Sequence, residues 1–178
     1  RLVMVKYRKM LNNWEAIYVQ KIVKLMESQS KLTIIKWALN YSYEHLLPIW
    51  LRSYPEDNRP LEALVAASNW VDGEIKLPEA KKIILNCHKA SREKEDNPAA
   101  QASARAIAQA ASSIHVPRLA IGLVFYGLLA VVYDKYGHSL AFNQVEKYAE
   151  LESYNLINSL QNISIKNEII PAKFNWKC

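Results

Sequence analysis

Apolar residues recur three and four positions apart along almost the whole chain, which is the spacing that places them on one face of an α-helix. The first such stripe runs through Leu11, Trp14 and Tyr18. The one alternating stretch, residues 163–165, is too short to be a strand. The pattern predicts an all-α protein, a single-domain bundle of about seven helices over residues 1–178.

Prolines mark the predicted helix boundaries. Four of them open apolar stripes: Pro60, Pro78, Pro98 and Pro117. Proline is favoured in the first helical turn because its missing N–H would have no partner there. Pro48 instead lies inside a stripe, so we expect it to bend or end that helix. After Asn162 the periodicity fades, which predicts an irregular tail.

Two segments stand out from the other predicted helices. Residues 99–113 are mostly alanine, which lets neighbouring backbones come close and predicts a central position in the bundle. Residues 119–133 form the longest uncharged apolar run. That run is shorter than the roughly twenty residues needed to span a bilayer, so it predicts a buried core helix and no membrane partner.

Positive charge is concentrated in the first third of the chain. The formal net charge is +6, and residues 1–60 hold ten Lys and Arg against five Asp and Glu. Such a surplus could meet nucleic acid, an anionic membrane or an acidic protein, or it could be a solvated helix face. We favour the solvated face, and we expect no nucleic-acid partner because neither a helix-turn-helix signature nor a dense basic run is present.

The cysteines and histidines show no metal-binding pattern. Cys87 and Cys178 are far apart in sequence, which is typical of a reduced, cytoplasmic protein, and no signal peptide is visible at the start of the sequence. Only His88 has a possible partner ligand beside it, and adjacent helical residues point about 100° apart. We therefore expect no metal and no cofactor, and we also find no glycine-rich phosphate loop.

A second group of polar residues could carry chemistry. The candidates are Glu56, Asp57, Arg59, His88, Arg92, Arg105, Gln109 and His115. Glu56 or Asp57 could act as a base and Arg105 as an anion clamp. The interpretation that we favour is structural: the arginines pair with carboxylates or helix-end carbonyls, with Arg59 and Arg105 substantially buried.

Short motifs in a fixed order run through the middle of the chain. They are KWAL at 36–39, EHLLP at 44–48, YPEDNRPLEAL at 54–64, HKASRE at 88–93, NPAA at 97–100 and ARA at 104–106. Their order and spacing resemble the fifth immunity-protein family of bacterial polymorphic toxin systems, most closely over residues 30–137. The closing NWKC at 175–178 resembles one branch of that family.

The resemblance implies an all-α cytoplasmic antitoxin that binds and neutralises a cognate toxin protein, with no catalytic residues. Two positions depart from the family pattern. Ala108 stands where we expect a glycine, and Leu119 stands where relatives often carry a second histidine, four residues after His115. Because the chain is net basic, we expect a toxin whose contact face is acidic or neutral.

One alternative from a different class remains open. The chain could be a small helical enzyme or ligand-binding module, with a pocket built from Glu56, Arg59, Arg92, Arg105 and His115. A pocket where these side chains converge would favour this alternative.

Overall fold

The computed structural model describes residues 7–177. Within that range the chain is 70% helical, contains no strand and folds as seven helices. They are α1 (Ile17–Glu27), α2 (residues 31–53), α3 (Arg59–Val71), α4 (Leu77–Arg92), α5 (Pro98–Ser112), α6 (Pro117–Tyr136) and α7 (Phe142–Ile163). The prediction of an all-α bundle of about seven helices is confirmed.

The alanine-rich helix α5 occupies the centre of the bundle. It packs against α2, α3, α4 and α6. Eleven of its fifteen residues are buried. Small side chains allow this close approach, and they leave room for the large apolar residues of the surrounding helices, such as Trp37 and Phe125.

Of the two outcomes expected for Pro48, a bend or an end of its helix, the second does not occur. The helix continues to Ser53 because a π-turn over Ser42–Leu46 precedes the proline. The N–H of Leu47 donates to the carbonyl of Ser42, five residues back. This wider turn accommodates a residue that has no N–H to donate and whose ring would crowd the preceding turn of a regular α-helix.

Helix α6 contains the long apolar run and contributes many buried residues to the core. It begins with a 3₁₀ turn over Pro117–Ile121, passes through a π-turn over Leu123–Gly127 and ends as a regular α-helix. By length and composition alone it could cross a membrane, but most of it is buried inside the bundle. This placement agrees with the prediction of a core helix.

The tail after α7 is irregular, as predicted, and it packs back onto the start of the bundle. The N–H of Ala172 donates to the carbonyl of Gln29 at 2.8 Å. The indole of Trp176 donates to Glu27 at 2.9 Å and meets the ring of Trp14 edge-on. The tail therefore covers the end of α1.

Candidate functional site

The structure divides the eight predicted site residues among separate places. His88, Arg92, Arg105 and Gln109 line one pocket. His115 lines a neighbouring cleft. The other three lie in or beside the loop before α3: Glu56, Asp57 and Arg59.

We call the first of these the arginine pocket. It has a volume of about 330 Å³ and is lined by His88, Ser91, Arg92, Arg105, Gln109 and Tyr126. Three helices build it. The C-terminal end of α4 supplies the first three residues, α5 supplies Arg105 and Gln109 one turn apart, and α6 supplies Tyr126.

A glycine in α6 sets the distance between two walls of the arginine pocket. A Cβ atom placed on Gly122 would lie 2.4 Å from the Cβ of Gln109 and 2.9 Å from its Cγ. No side chain fits there, so α6 can approach α5 this closely only because residue 122 is glycine. Tyr126 follows one helical turn later and closes the pocket on the α6 side.

The predicted pairing of Arg105 is wrong. Arg105 is only half-buried, and within residues 7–177 its guanidinium makes neither an ion pair nor a hydrogen bond. The role expected of it is taken by Gln101, one turn earlier on α5. The Gln101 side-chain amide is buried and donates to the Ser91 carbonyl in the last turn of α4 at 2.9 Å.

Other polar groups around the pocket also lack partners in the described part of the chain. Neither the Arg92 guanidinium, the Gln109 amide nor the Tyr126 hydroxyl makes a hydrogen bond with a residue of the range 7–177. The pocket lining contains no carboxylate. The site therefore combines two positive charges with several free donors and no internal acceptor of opposite charge.

His88 adds a neutral group to this site at physiological pH. Burial, and then the positive charge of Arg92, lower the pKa of the His88 imidazole below its usual value. The neighbouring Ser91 hydroxyl donates to the backbone carbonyl of His88 at 2.7 Å, not to the ring. The imidazole and the hydroxyl are thus not arranged as a base and a nucleophile.

A smaller cleft of about 180 Å³ adjoins the arginine pocket and shares His88 with it. Its lining includes the exposed His115 and, four residues later, Leu119. Leucine at that position makes the wall apolar where a second histidine would have made it polar. Leu85, which is 58% exposed, extends the apolar lining to the surface.

Arg59 behaves as the structural interpretation predicts, although its side chain is 29% exposed and so only partly buried. Its guanidinium pairs with Asp57 at 2.6 Å and with Glu93 at 2.7 Å, in an arrangement that we call the Arg59 corner. Hydrogen bonds from Arg59 lower the pKa of both carboxyl groups. The backbone carbonyl of Asp57 accepts from the buried Trp50 indole, so the corner fixes the loop between α2 and α3.

The five residues considered as an alternative pocket do not all line the arginine pocket or its adjoining cleft in the described part of the chain. Glu56 is exposed, and its carboxylate makes neither a hydrogen bond nor an ion pair with the rest of the described chain. Neither Glu56 nor Arg59 lines the arginine pocket, and His115 lies in the adjoining cleft. Of that set, Arg92 and Arg105 line the arginine pocket together.

Cys87 is buried and inert. Its thiol donates to the Ala104 carbonyl at 3.4 Å, and burial raises the pKa of the thiol to about 12. Across the described range 7–177, no three His, Cys, Asp or Glu residues lie close enough together to hold a metal ion.

Comparison with protein families gives a match over most of the chain. Residues 6–154 match the model of the family described as "Imm-5 like putative immunity protein". The chain belongs to this family. The Imm-5 like match includes every residue of the arginine pocket and of the Arg59 corner, and it extends further on both sides than residues 30–137. No curated protein and no solved structure matches the chain.

Sequence reasoning missed three residues that shape the pocket of this Imm-5 like protein: Ser91, Gly122 and Tyr126. From the sequence alone Tyr126 is predicted to be a core aromatic residue, because it lies within the longest apolar run. Its spacing of four residues from Gly122 was the available signal. A glycine and a tyrosine on the same face of an apolar helix indicate a close helix contact with a polar group beside it.

Proposed function

We propose that this protein binds and neutralises a bacterial toxin domain as a stoichiometric, non-catalytic inhibitor, in the cytoplasm of the cell that produces it. The observation that carries the proposal is the Imm-5 like match over residues 6–154. That range contains all of α1 to α6 and the first half of α7, so it includes most of the folded core.

The chemistry of the described residues supports binding over catalysis. The Ser91 hydroxyl is engaged with a backbone carbonyl, and the Cys87 thiol is buried with a raised pKa. A nucleophile must be exposed and activated by a base or a lowered pKa. Neither of these groups meets that requirement.

Charge supports a toxin with an acidic or neutral contact face. The net charge is +6. Lys21 and Lys24 are exposed on α1, and Arg92 and Arg105 have no counter-charge within the described chain. Opposite potentials accelerate association, so a strongly basic toxin surface would be a poor partner for these faces.

A titration of toxin activity tests the proposal. The cognate toxin domain is held at a fixed concentration, and its activity is measured as purified protein is added. A tight inhibitor should abolish activity at an equimolar ratio, and a stable complex should appear in gel filtration. Loss of activity at a small fraction of one equivalent, increasing with time, would indicate turnover and would overturn the non-catalytic proposal.

One specific observation favours a second role as a ligand-binding module. The arginine pocket holds unpaired donors from three helices, as binding sites for small polar ligands do.

A further inference from the structure

Two arginines line one pocket without any carboxylate to balance them. The other arginines that pair with carboxylates in the described chain show what a structural arginine looks like here: Arg8 with Glu146, Arg52 with Asp134, and Arg59 with Asp57 and Glu93. Arg92 and Arg105 have no such partner within residues 7–177. Two like charges that line one cavity repel each other, so an anion bound between them would lower the energy of the site.

The donors of the arginine pocket suit a particular kind of anion. A guanidinium group presents several N–H donors in a plane, and this geometry matches the oxygens of a carboxylate or a phosphate. The Gln109 amide and the Tyr126 hydroxyl add two more donors that have no partner in the described chain. The volume of about 330 Å³ lies near the small end of the range for ligand pockets.

We propose that the arginine pocket is an oxyanion-binding site, in which Arg92 and Arg105 hold a carboxylate or phosphate group with help from Gln109 and Tyr126. The proposal rests on the geometry of the pocket and holds whether or not the protein neutralises a toxin. The oxyanion has two possible sources, a small molecule in solution or an acidic side chain of a bound toxin.

The first experiment uses the full chain alone. Inorganic phosphate or acetate is titrated into the ¹⁵N-labelled protein at constant ionic strength, and chemical shifts are followed for the Arg side-chain Nε–H groups and the Gln109 amide. We expect saturable changes at the arginine pocket with at least one of the two anions. If neither anion gives saturable changes there, the proposal is overturned.

Matched variants show whether the arginines are responsible. Arg105→Gln and Arg92→Gln should each weaken anion binding by about tenfold, because each removes one charge-assisted interaction. Arg52→Gln is the control, since Arg52 is exposed and paired with Asp134. This variant should bind the anion with the same affinity as the parent. Equal affinity in all three variants would contradict the proposal. Arg92 is exposed, so Arg92→Gln carries the test if Arg105→Gln does not fold.

The second experiment identifies the source of the oxyanion. Affinity for the toxin domain is measured with and without saturating phosphate or acetate, whichever binds. If an acidic side chain of the toxin enters the pocket, the anion and Arg105→Gln should both weaken the complex by about tenfold. If neither affects the complex, the site serves a small molecule. A protein that binds the anion but does not inhibit the toxin would contradict only the proposed function. A protein that inhibits the toxin but does not bind the anion would contradict only this inference.

Discussion

The Arg59 corner and the arginine pocket lie next to each other in sequence and differ in how their charges are balanced. Glu93, which pairs with Arg59, directly follows Arg92, which has no partner in the described chain. In the corner, each charge meets an opposite one and a loop is fixed. In the pocket, two positive charges line one cavity together with neutral donors and no carboxylate. The contrast separates an arginine that supports the fold from arginines that are available to a ligand.

Removing the arginine from each region should give the largest difference in stability. Arg59→Gln leaves the Asp57 and Glu93 carboxylates without their cation, and we expect the free energy of unfolding to fall by about 2 kcal/mol. Arg105→Gln removes no intrachain partner, so its loss should stay below about 1 kcal/mol. Urea unfolding followed by circular dichroism would measure both.

Arg52→Gln serves as the control for this pair, because the contact of Arg52 with Asp134 is exposed and should be worth less than about 1 kcal/mol. If Arg105→Gln lowers the free energy of unfolding as much as Arg59→Gln does, the distinction between the corner and the pocket would not hold. Such a result would restore the earlier expectation that both arginines are structural.

A methyl group at Gly122 should have a smaller effect on stability and a direct effect on the pocket. In Gly122→Ala the added Cβ collides with Gln109, and overpacking of this kind costs about 1–3 kcal/mol. Alanine recovers up to about 1 kcal/mol through its better helix propensity, so we expect a net loss of about 1–2 kcal/mol. Anion binding should weaken as well, since the Cβ of Gln109 is fixed to the α5 backbone and α5 and α6 must move apart. Urea unfolding and the phosphate and acetate titrations would check both.

Gly127→Ala is the matched glycine control on the same helix. A Cβ there would meet its nearest neighbour, Leu46 Cδ1, at 3.6 Å, which is an ordinary contact. Its stability should equal or slightly exceed that of the parent, and anion binding should not change. If the two glycine variants behave alike, the close approach at Gly122 does not shape the pocket.

The smallest expected effect is a pH dependence at His88. The folded-state pKa of His88 lies below its ordinary value, so as pH falls the unfolded chain takes up the proton first. The folded state should therefore lose stability as pH falls from about 6.5 toward the folded-state pKa. His88→Gln should lose less stability than the parent between about pH 7.5 and pH 5, measured by urea unfolding at each pH. Parallel pH curves for the two proteins would show that His88 is not perturbed.

The helices could be predicted from the sequence because their signal is local. Apolar periodicity and first-turn prolines predicted most of the helices, and the alanine content of α5 predicted its central position. The continuation of α2 through Pro48 could not be predicted, because a π-turn depends on how the helix packs and has no short-range signature.

The site was only partly predictable, because pairing is a tertiary property. The helical spacing correctly brought Arg105 together with Gln109, and His88 with Arg92. The spacing could not show that the Gln101 amide would donate to the Ser91 carbonyl and that Arg105 would have no partner in the described chain. It also could not show that Arg59 would reach Glu93, which lies 34 positions away on another helix.

The π-turn in α6 amounts to one residue more than a regular helix would hold over the same length. The wider turn takes up that residue, so the helix on either side continues without a break in its hydrogen bonding. Tyr126 lies inside this turn. Each residue of a regular α-helix rotates the chain by about 100°, which is more than each residue of the wider turn does. Forcing the same residues into regular α-helical geometry would therefore rotate the tyrosine around the helix axis relative to Gly122, although the sequence would be unchanged. The aromatic wall of the pocket thus depends on the local winding of the backbone as much as on an amino-acid identity.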